Sequence, residues 1–441
     1  MSAVAAGPLP KTRGLGFTLG WATATQLVTT VVKFGSTLLL TRLLAPEAYA
    51  LIGMAMVILT TLEWLSDYGV TPALVRHPRG GEAAWLLAGW RANFKRGLLL
   101  SAVAASLAVP MAAFYQQPEL LGVLLALAAR PLLMALRSPG MPLLRRNMEY
   151  RALFVDELTQ TLVGAGCAIV VAATVSGASA WALVAGTLVG AAAGVVTSYL
   201  LTPLAPRWHY DPEAAQELYR LGGRVLVNTL VMALWLNLDR LIGPRFLPLE
   251  AMGWYIVAYN LALTVEAFII RKVDVYFALL SRLSPEERVA WHHANIGRVM
   301  RFAGVTLAMA AAAAPLAVKV IYDSRYQPVG LLLAILSARL VFRTLGQLDF
   351  QLLLANGDVR TGTAAYAAGL VCQGTLVITL VCVLGVYGLA ISLLLTTAIV
   401  TATQAVLSPE LQRGMIRRFF IASGWAGVGL IGGVLTHWAL G

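Results

Sequence analysis

Residues Thr264–Ala278 read TVEAFIIRKVDVYFA, a run that sets charged side chains inside an apolar segment long enough to cross a membrane. The charged residues are Glu266, Arg271, Lys272 and Asp274. Charged groups are costly in hydrocarbon, so they occur there mainly where they face a cavity, a partner or a transported ion. The stretch therefore predicts a membrane protein with a polar site in its interior.

The composition of the whole chain agrees with this interpretation. Of its 441 residues, 59% are hydrophobic and 12% are charged, whereas charged residues make up about a quarter of a soluble domain. We therefore predict an all-α polytopic membrane protein without an attached soluble domain. Three separate cysteines and the absence of any metal-ligand motif from the sequence predict no metal and no cofactor.

Segments of about 20 apolar residues suffice to cross the hydrocarbon core, and the sequence contains thirteen of them. Only the connections 204–218 and 282–294 have the charge and polarity of true loops. His292 and His293 fall in the second of these loops, and we expect them to be solvated. The predicted spans are 16–42, 48–75, 93–115, 118–138, 152–176, 179–203, 219–243, 250–281, 295–321, 328–354, 361–384, 387–408 and 417–438.

The distribution of arginine and lysine predicts the orientation, because basic residues collect on the cytoplasmic side. With a cytoplasmic N-terminus, 22 basic residues fall in cytoplasmic segments or adjoining helix ends and five fall on the opposite side. The same distribution accounts for the net charge of +12, since basic residues at the inner face meet anionic lipid. Nucleic acid is therefore not an expected partner.

An internal repeat predicts how the spans are grouped. Shifting the chain by 203 residues aligns Arg42–Glu63 with Arg245–Glu266, with seven identities in 22 positions. An even number of spans separates the copies, so we predict a parallel repeat of two six-helix bundles with a central cavity between them. The predicted parts are a cytoplasmic N-terminus (1–15), an N-terminal bundle (16–203), a cytoplasmic linker (204–218), a C-terminal bundle (219–408) and an additional transmembrane helix (409–441).

Polar residues three or four positions apart share a helix face, and such stripes recur on several predicted spans. Stripes of this kind are what a central polar cavity would require. We expect these residues to line the cavity or to couple transport to an ion. They are Gln26, Glu63, Asp67, Asn228, Asp239, Glu266 and Gln347, with Asp156 and Gln160 near one end of the fifth span.

Five basic residues within the spans form a ladder that suits an anion crossing the membrane. Guanidinium groups make paired, charge-assisted hydrogen bonds to phosphate, and lysine serves as a point charge. We predict that the ladder binds a diphosphate, although nucleotide sugars or acidic glycans would also fit. The candidates are Lys33, Arg271, Lys272, Arg339 and Arg343.

Structural alternatives exist for these charged residues. Arg271 and Asp274 are three positions apart and can neutralise each other, and Lys272 can extend its long side chain to the membrane interface. Asp67 can cap a helix break at Gly69 instead of facing a cavity.

Two roles are equally consistent with the sequence for the acids Glu63 and Glu266. They either carry a coupling proton or form ion pairs with Lys33 and Arg271.

Glycine and tryptophan residues add two further features. Gly186, Gly190 and Gly194 form overlapping G-x-x-x-G steps in the sixth span, which predict a helix-packing surface. Five tryptophans fall near predicted membrane interfaces, where anchoring is the ordinary role and sugar stacking is the alternative. They are Trp85, Trp90, Trp181, Trp254 and Trp291.

The segment Thr41–Pro78, TRLLAPEAYALIGMAMVILTTLEWLSDYGVTPALVRHP, resembles the polysaccharide transporter family of the O-antigen flippase type. This family lies within the multidrug, oligosaccharidyl-lipid and polysaccharide exporter superfamily. The resemblance continues at Leu143–Gly164, Asn237–Ala262 and Ile321–Gly330. The chain departs from the commoner longer pattern of the family by stopping after its thirteenth predicted span.

The resemblance implies alternating access and movement of an undecaprenyl-diphosphate-linked oligosaccharide from the cytoplasmic to the periplasmic leaflet. It also implies a bacterial inner membrane and central cations at Lys33, Arg271 and Lys272. The expected partners are this saccharide, membrane lipid and other polysaccharide-assembly proteins, and we expect a monomer.

Three other functions compete with a flippase. A drug exporter of the same fold predicts a cavity dominated by acids and aromatic residues. An integral membrane glycosyltransferase or polymerase needs a sizeable loop with catalytic residues, which the sequence lacks. A passive scaffold would leave the buried polar stripes unexplained. We therefore predict a transporter without catalytic residues.

Overall fold

The computed structural model describes residues 15–66, 69–175, 179–208 and 226–440. Within these ranges the chain is helical apart from turns and connections. Nine helical segments of the described residues are long and apolar enough to cross a membrane. The protein is therefore an all-α, multi-pass membrane protein, as its composition predicts.

The chain divides into two compact units. The first contains Met1–Leu44 and Ile58–Leu226, and the second contains Ala45–Val57 and Val227–Gly441. The boundary at residues 57 and 58 lies within one helix, α2 (Pro46–Leu65). This helix therefore begins in the second unit and ends in the first.

The first unit holds the other helices of the N-terminal half. The helices are α1 (Leu15–Leu43), α3 (Val70–Arg76), α4 (Ala83–Tyr115), α5 (Pro118–Leu127), α6 (Ala129–Ala135), α7 (Met141–Arg146), α8 (Tyr150–Thr174) and α9 (Ala180–Leu201). Among them, α8 packs against α1 and α9, and α4 packs against α5 and α6.

The predicted span 48–75 is wrong as one continuous helix, because α2 ends at Leu65 and α3 begins at Val70. Gly69 has a φ angle of 66°, a left-handed conformation that interrupts a helix and that glycine adopts without a Cβ penalty. The break at Gly69 is thus present. Asp67, its predicted cap, lies outside the described residues.

Close contact between α8 and α9 confirms the predicted glycine packing surface. A methyl group on Gly186 would lie 2.6 Å from the carbonyl oxygen of Gly164, and one on Gly190 would lie 2.9 Å from that of Gln160. Both distances are too short for a side chain. The glycines therefore allow the two backbones to touch, which is the usual role of small residues between membrane helices.

The second unit contains the remaining helices. Its longest helical run, α14, changes direction at Gly385, whose φ and ψ angles are 58° and −135°. This break falls between the predicted spans 361–384 and 387–408. The helices are α10 (Leu226–Ile242), α11 (Leu249–Leu280), α12 (Pro285–Ile321), α13 (Pro328–Ala355), α14 (Val359–Leu407), α15 (Pro409–Gln412) and α16 (Met415–Leu440).

The first half of α2 packs against α11 within the second unit. A methyl group on Gly253 would lie 2.0 Å from the carbonyl oxygen of Pro46, and one on Gly53 would lie 2.7 Å from the side chain of Ile256. Gly253 therefore lets the backbone of α2 approach that of α11, and Gly53 makes room for the Ile256 side chain.

The predicted loop 282–294 is wrong, because α12 already begins at Pro285. The Ser284 hydroxyl accepts a hydrogen bond from the Glu287 amide, and the Ser284 amide donates one to the Glu287 carboxylate, forming a capping box. This reciprocal pair satisfies free amides at the first turn and starts the helix. His292 is consequently a helical residue with no exposed surface, not a solvated one.

Four helices of the second unit meet at a buried polar group that we call the His292 cluster: Tyr276, His292, Asp349 and Arg418. The imidazole Nδ1 lies 2.9 Å from the Tyr276 hydroxyl, and Nε2 lies 3.0 Å from a carboxylate oxygen of Asp349. Arg418 donates to the same oxygen over 2.9 Å. The cluster joins α11, α12, α13 and α16, so the last helix is an integrated part of this unit.

His293, the neighbouring histidine, is also fixed. Its Nε2 lies 2.9 Å from the carbonyl oxygen of Glu410, which lies in the short helix α15. Neither histidine is therefore the free loop residue that the sequence suggested.

Candidate functional site

The first unit contains a cavity of about 1100 Å³, lined by α3, α4, α6, α8 and the segment 138–145. Its wall carries seven charged side chains. The charged lining residues are Arg96, Arg130, Arg137 and Arg145, together with Glu63, Asp156 and Glu157.

A bend between α5 and α6 positions two of these arginines. Pro131 has no amide hydrogen to donate to the carbonyl of Leu127, so the series of backbone hydrogen bonds is interrupted after α5. Arg130 and Arg137 lie seven positions apart beyond the bend and both line the cavity. Arg130 lies on α6 and Arg137 lies two residues beyond its end, so the two guanidinium groups border one cavity from neighbouring parts of the chain.

The first ion pair of the cavity joins α6 to the end of α2. Arg130 donates to a carboxylate oxygen of Glu63 over 2.6 Å, and both side chains are about one quarter exposed. Arg96 on α4 donates to the Glu63 carbonyl and, over 2.9 Å, to the Ser66 hydroxyl. Glu63 thus pairs with Arg130 and not with Lys33, which the sequence offered as its partner.

The second ion pair joins the end of α6 to α8. Arg137 donates to one oxygen of the Asp156 carboxylate, which also accepts from Gln160 over 3.0 Å. Asp156 is 4% exposed. Its other oxygen and the Arg137 Nε are buried without a hydrogen-bond partner. The pair is therefore only half satisfied.

The third acid of the cavity, Glu157, lies 3.9 Å from Lys33, and both side chains are well exposed. Each cavity acid thus has a base within 4 Å, whereas Arg145 is exposed and makes no described ion pair. Basic groups therefore set the electrostatic character of the cavity. Such a site can bind an anion through guanidinium hydrogen bonds.

A second polar region lies within the second unit. Arg343 donates to the carboxylate of Glu266, so Glu266 has a partner from α13. Arg339 is 1% exposed, donates to the Thr397 hydroxyl over 3.1 Å, and has a buried Nη2 without a partner. Arg339 is accordingly sealed inside the helices that surround it.

Asp239 occupies the same unit and has no exposed surface. It accepts a hydrogen bond from Tyr255 and lies 4.0 Å from the Nε of Arg240. The Arg240 guanidinium is 4.0 Å from the ring centroid of Tyr259, a cation–π contact. Local partners therefore stabilise this buried acid and its neighbour.

The remaining predicted site residues have varied positions. Gln347 is partly buried on α13, and Lys33 is exposed on α1. Nothing can be placed for the others, because their side chains, or in one instance the whole residue, lie outside the described part of the chain. These are Gln26, Asp67, Asn228, Arg271 and Lys272.

The main residues missed by sequence reasoning are Arg96, Arg130, Arg137 and Arg145. Arg130 carried a clear signal, because it is the single charge in the interior of the apolar run 120–136. The other three were assigned to the cytoplasmic side, and only the fold shows that they line a cavity. In the described part of the chain no group of three or more His, Cys, Asp or Glu residues is placed to hold a metal ion.

These features define a class: a helical membrane protein with the fold of MOP-superfamily transporters. A lipid II flippase, MurJ, in an inward closed conformation is similar with a TM-score of 0.71 and 12% identity, over 95% of this chain and 97% of that chain. An inward-facing multidrug resistance MATE family transporter of the MOP superfamily is similar with a TM-score of 0.69 and 13% identity, over 92% and 99% of the two chains.

A MOP-superfamily transporter from Pyrococcus furiosus is also similar, with a TM-score of 0.54 and 13% identity over 92% of this chain and 93% of that one. At these identities the likeness concerns the fold. The chain belongs to the polysaccharide biosynthesis protein family, whose sequence model matches residues 39–331. No curated protein matches the chain in sequence.

Proposed function

We propose that the protein is a flippase for an undecaprenyl-diphosphate-linked oligosaccharide used in exported polysaccharide. It moves this lipid from the inner to the outer leaflet of the bacterial cytoplasmic membrane by alternating access. The observation that carries the proposal is the cavity of the first unit, where four arginines face a space of about 1100 Å³. Membership of the polysaccharide biosynthesis family and the fold shared with a lipid II flippase support it.

The chemistry of the cavity fits a diphosphate. A guanidinium group offers a planar fork of donors that matches phosphate oxygens and keeps its charge within the membrane. Arg130 on α6 and Arg137 just beyond its end provide two such forks in the cavity lining. Arg145, exposed and without a described ion pair, provides a third at the edge.

Other cations extend the proposed path. Lys33 neighbours the cavity through its contact with Glu157. We retain the remaining members of the predicted ladder as contacts made at other steps of the cycle, and Arg339 requires a rearrangement because it is fully buried here. These members are Arg271, Lys272, Arg339 and Arg343.

The proposed orientation places the cavity where the substrate is made. With a cytoplasmic N-terminus, the end of α6 and the beginning of α8 face the cytoplasm, and both line the cavity. A reporter fused after Leu283 is then expected on the cytoplasmic side. A periplasmic reporter would overturn this topology.

Reconstitution tests the function. Purified protein is placed in vesicles that contain an undecaprenyl-diphosphate oligosaccharide, and its transfer between leaflets is followed with and without imposed proton and sodium gradients. We expect Arg130→Gln and Arg137→Gln to slow transfer about tenfold or more, since each removes a charge-assisted contact. Arg413→Gln, an exposed position on the second unit, is the matched control.

If folded Arg130→Gln and Arg137→Gln proteins transfer the lipid at the parental rate, the cavity does not take part in transport. Arg271→Ala and Arg339→Ala test the remaining ladder in the same assay. A rate that responds to an imposed gradient would assign an ion-coupling role to the acids, of which Glu63, Asp67 and Glu266 are the proposed carriers.

A drug exporter of the same fold is the alternative, and the multidrug transporter among the similar structures gives it a concrete form. The paired state of the cavity acids argues against binding of organic cations. We expect no uptake of cationic dyes by the vesicles. Dye uptake without lipid transfer would establish the exporter instead. We also propose that the protein works as a monomer beside other polysaccharide-assembly proteins. Measurement of the particle mass in nanodiscs tests whether it is a monomer.

A further inference from the structure

Acids in the cavity pose a question that a phosphate site alone does not answer. A site that only had to attract an anion would gain nothing from carboxylates, because like charges in a medium of low dielectric repel. Glu63 and Asp156 nevertheless lie beside the arginines that the proposed substrate needs.

The two ion pairs share one construction. In each pair the arginine comes from the α6 region and the acid comes from another helix, α2 for Glu63 and α8 for Asp156. All four side chains line the cavity. Each pair therefore lies where an incoming diphosphate would arrive.

Neither pair has the full set of partners expected of a purely structural ion pair. The Arg137 Nε and one oxygen of Asp156 are buried and unpartnered. Arg130 reaches Glu63 through one described hydrogen bond, with about a quarter of each side chain exposed. A guanidinium group with unused hydrogen-bond donors can rotate to another anion at a lower free-energy cost than one whose donors are all paired.

We propose that Glu63 and Asp156 are internal counter-anions that occupy the arginines when the transporter is empty and yield them to the substrate diphosphate. The inference rests on the proposed function of the same cavity. Substrate binding is then an exchange of one anion for another at each guanidinium. The carboxylates weaken binding, and in return they stabilise the empty protein.

The transporter without substrate has to change between its inward-facing and outward-facing conformations. The acids act in this step. An unpaired cation away from water costs several kcal/mol in real proteins, roughly as much as breaking a buried ion pair. With the carboxylates in place, no guanidinium of these pairs is left unneutralised during the return. Loss of a carboxylate therefore favours the loaded protein and slows the empty one.

Binding is the first test. Undecaprenyl diphosphate without sugar is titrated into the full-length protein in nanodiscs. We expect Glu63→Gln and Asp156→Asn each to bind it about tenfold more tightly than the parent, because the competing charge is gone. Glu149→Gln removes an exposed acid at the start of α8, outside the cavity, and is expected to leave binding unchanged.

The cycle itself is the second test. Net transfer needs return of the empty carrier, whereas exchange between substrate-loaded leaflets does not. We expect both amide variants to lose net transfer about tenfold and to keep exchange at the parental rate. Glu63→Asp, which retains the carboxylate, is expected to restore net transfer. A merely structural role would lower net transfer and exchange together.

The outcomes separate this inference from the function on which it rests. If the parent binds no undecaprenyl diphosphate, the proposed function fails and the inference fails with it. If the parent binds it and the amide variants bind equally or more weakly, the counter-anion role alone is refuted. Because Glu63 and Asp156 belong to separate pairs, a folding defect in one variant leaves the other to decide the matter.

Discussion

Replacement of Arg418 by methionine is expected to destabilise the second unit through the His292 cluster. The Arg418 and Asp349 side chains are 9% and 2% exposed and meet over 2.9 Å. Methionine retains the length and apolar character of the arginine stem but removes its charge. The substitution therefore leaves the Asp349 carboxylate buried with only His292 beside it.

Breaking a buried pair by removing one member costs about 3–5 kcal/mol. His292 remains 3.0 Å from the carboxylate and compensates in part, so we place the loss of unfolding free energy for Arg418→Met at about 3 kcal/mol. The double variant Asp349→Leu with Arg418→Met removes both charges. It is expected to cost about 1–2 kcal/mol, mainly because the imidazole Nε2 loses its partners while Nδ1 keeps its contact with Tyr276.

Unfolding by SDS titration in mixed micelles measures these free energies. The matched control is Arg417→Met, an adjacent exposed position, whose change is expected to stay within about 0.5 kcal/mol. A double variant that is less stable than Arg418→Met alone would refute the reasoning, because the cost would then not come from an uncompensated charge. So would a loss below about 1 kcal/mol for the single variant.

Three further substitutions are tested by the same titration. Gly190→Leu is expected to cost at least about 1–3 kcal/mol by overpacking α8 and α9, whereas Gly166→Leu, with no atom within 4 Å of an added methyl, should be tolerated. Ser284→Ala should cost about 1 kcal/mol by removing the cap of α12, and equal stability would show that the cap is dispensable. Gly385→Ala should cost about 1–3 kcal/mol because of its positive φ, while Gly374→Ala, in a regular helix with open space around it, should be neutral or stabilising. If both alanine substitutions lowered the free energy of unfolding, or both raised it, the strain at Gly385 would be contradicted.

Local patterns predicted much of the fold. The lengths of the apolar segments predicted the helices, since the hydrocarbon core requires about 20 residues for a crossing. The spacing of Gly186, Gly190 and Gly194 predicted a packing face, because residues four apart lie on one side of a helix. The break at Gly69 was raised only as an alternative role for Asp67, although the freedom of glycine to adopt a positive φ is an equally local property.

The pairing of charges within the cavity was beyond these patterns. Glu63 and Arg130 are 67 residues apart, and spacing along one helix does not indicate which distant arginine will approach. Lys33 had the right charge but lies beside Glu157 instead. The pairing depends on how the chain turns between α5 and α6 and on how α8 packs, and those are properties of the folded unit.

The error at His292 has a different origin. The polar composition of residues 282–294 suggested a loop, because solvated connections share that composition. The stretch nevertheless contains Ser284, followed by Pro285 and, at the third helical position, Glu287. This is a local signature of a helix start, and giving it more weight than composition would have placed His292 on a helix.

The division of α2 between the two units has a consequence for how the protein is made. Pro46 contacts Gly253, which is 207 residues further along the chain. At a synthesis rate of about 5–20 residues per second, α11 leaves the ribosome roughly 10–40 s after the helix it packs against. During that interval the glycine-bearing face of α2 meets lipid or a chaperone, and the second unit is completed only by a segment inserted long before the rest of it. Biogenesis of this transporter therefore depends on keeping this face of α2 without its packing partner until α11 has been synthesised.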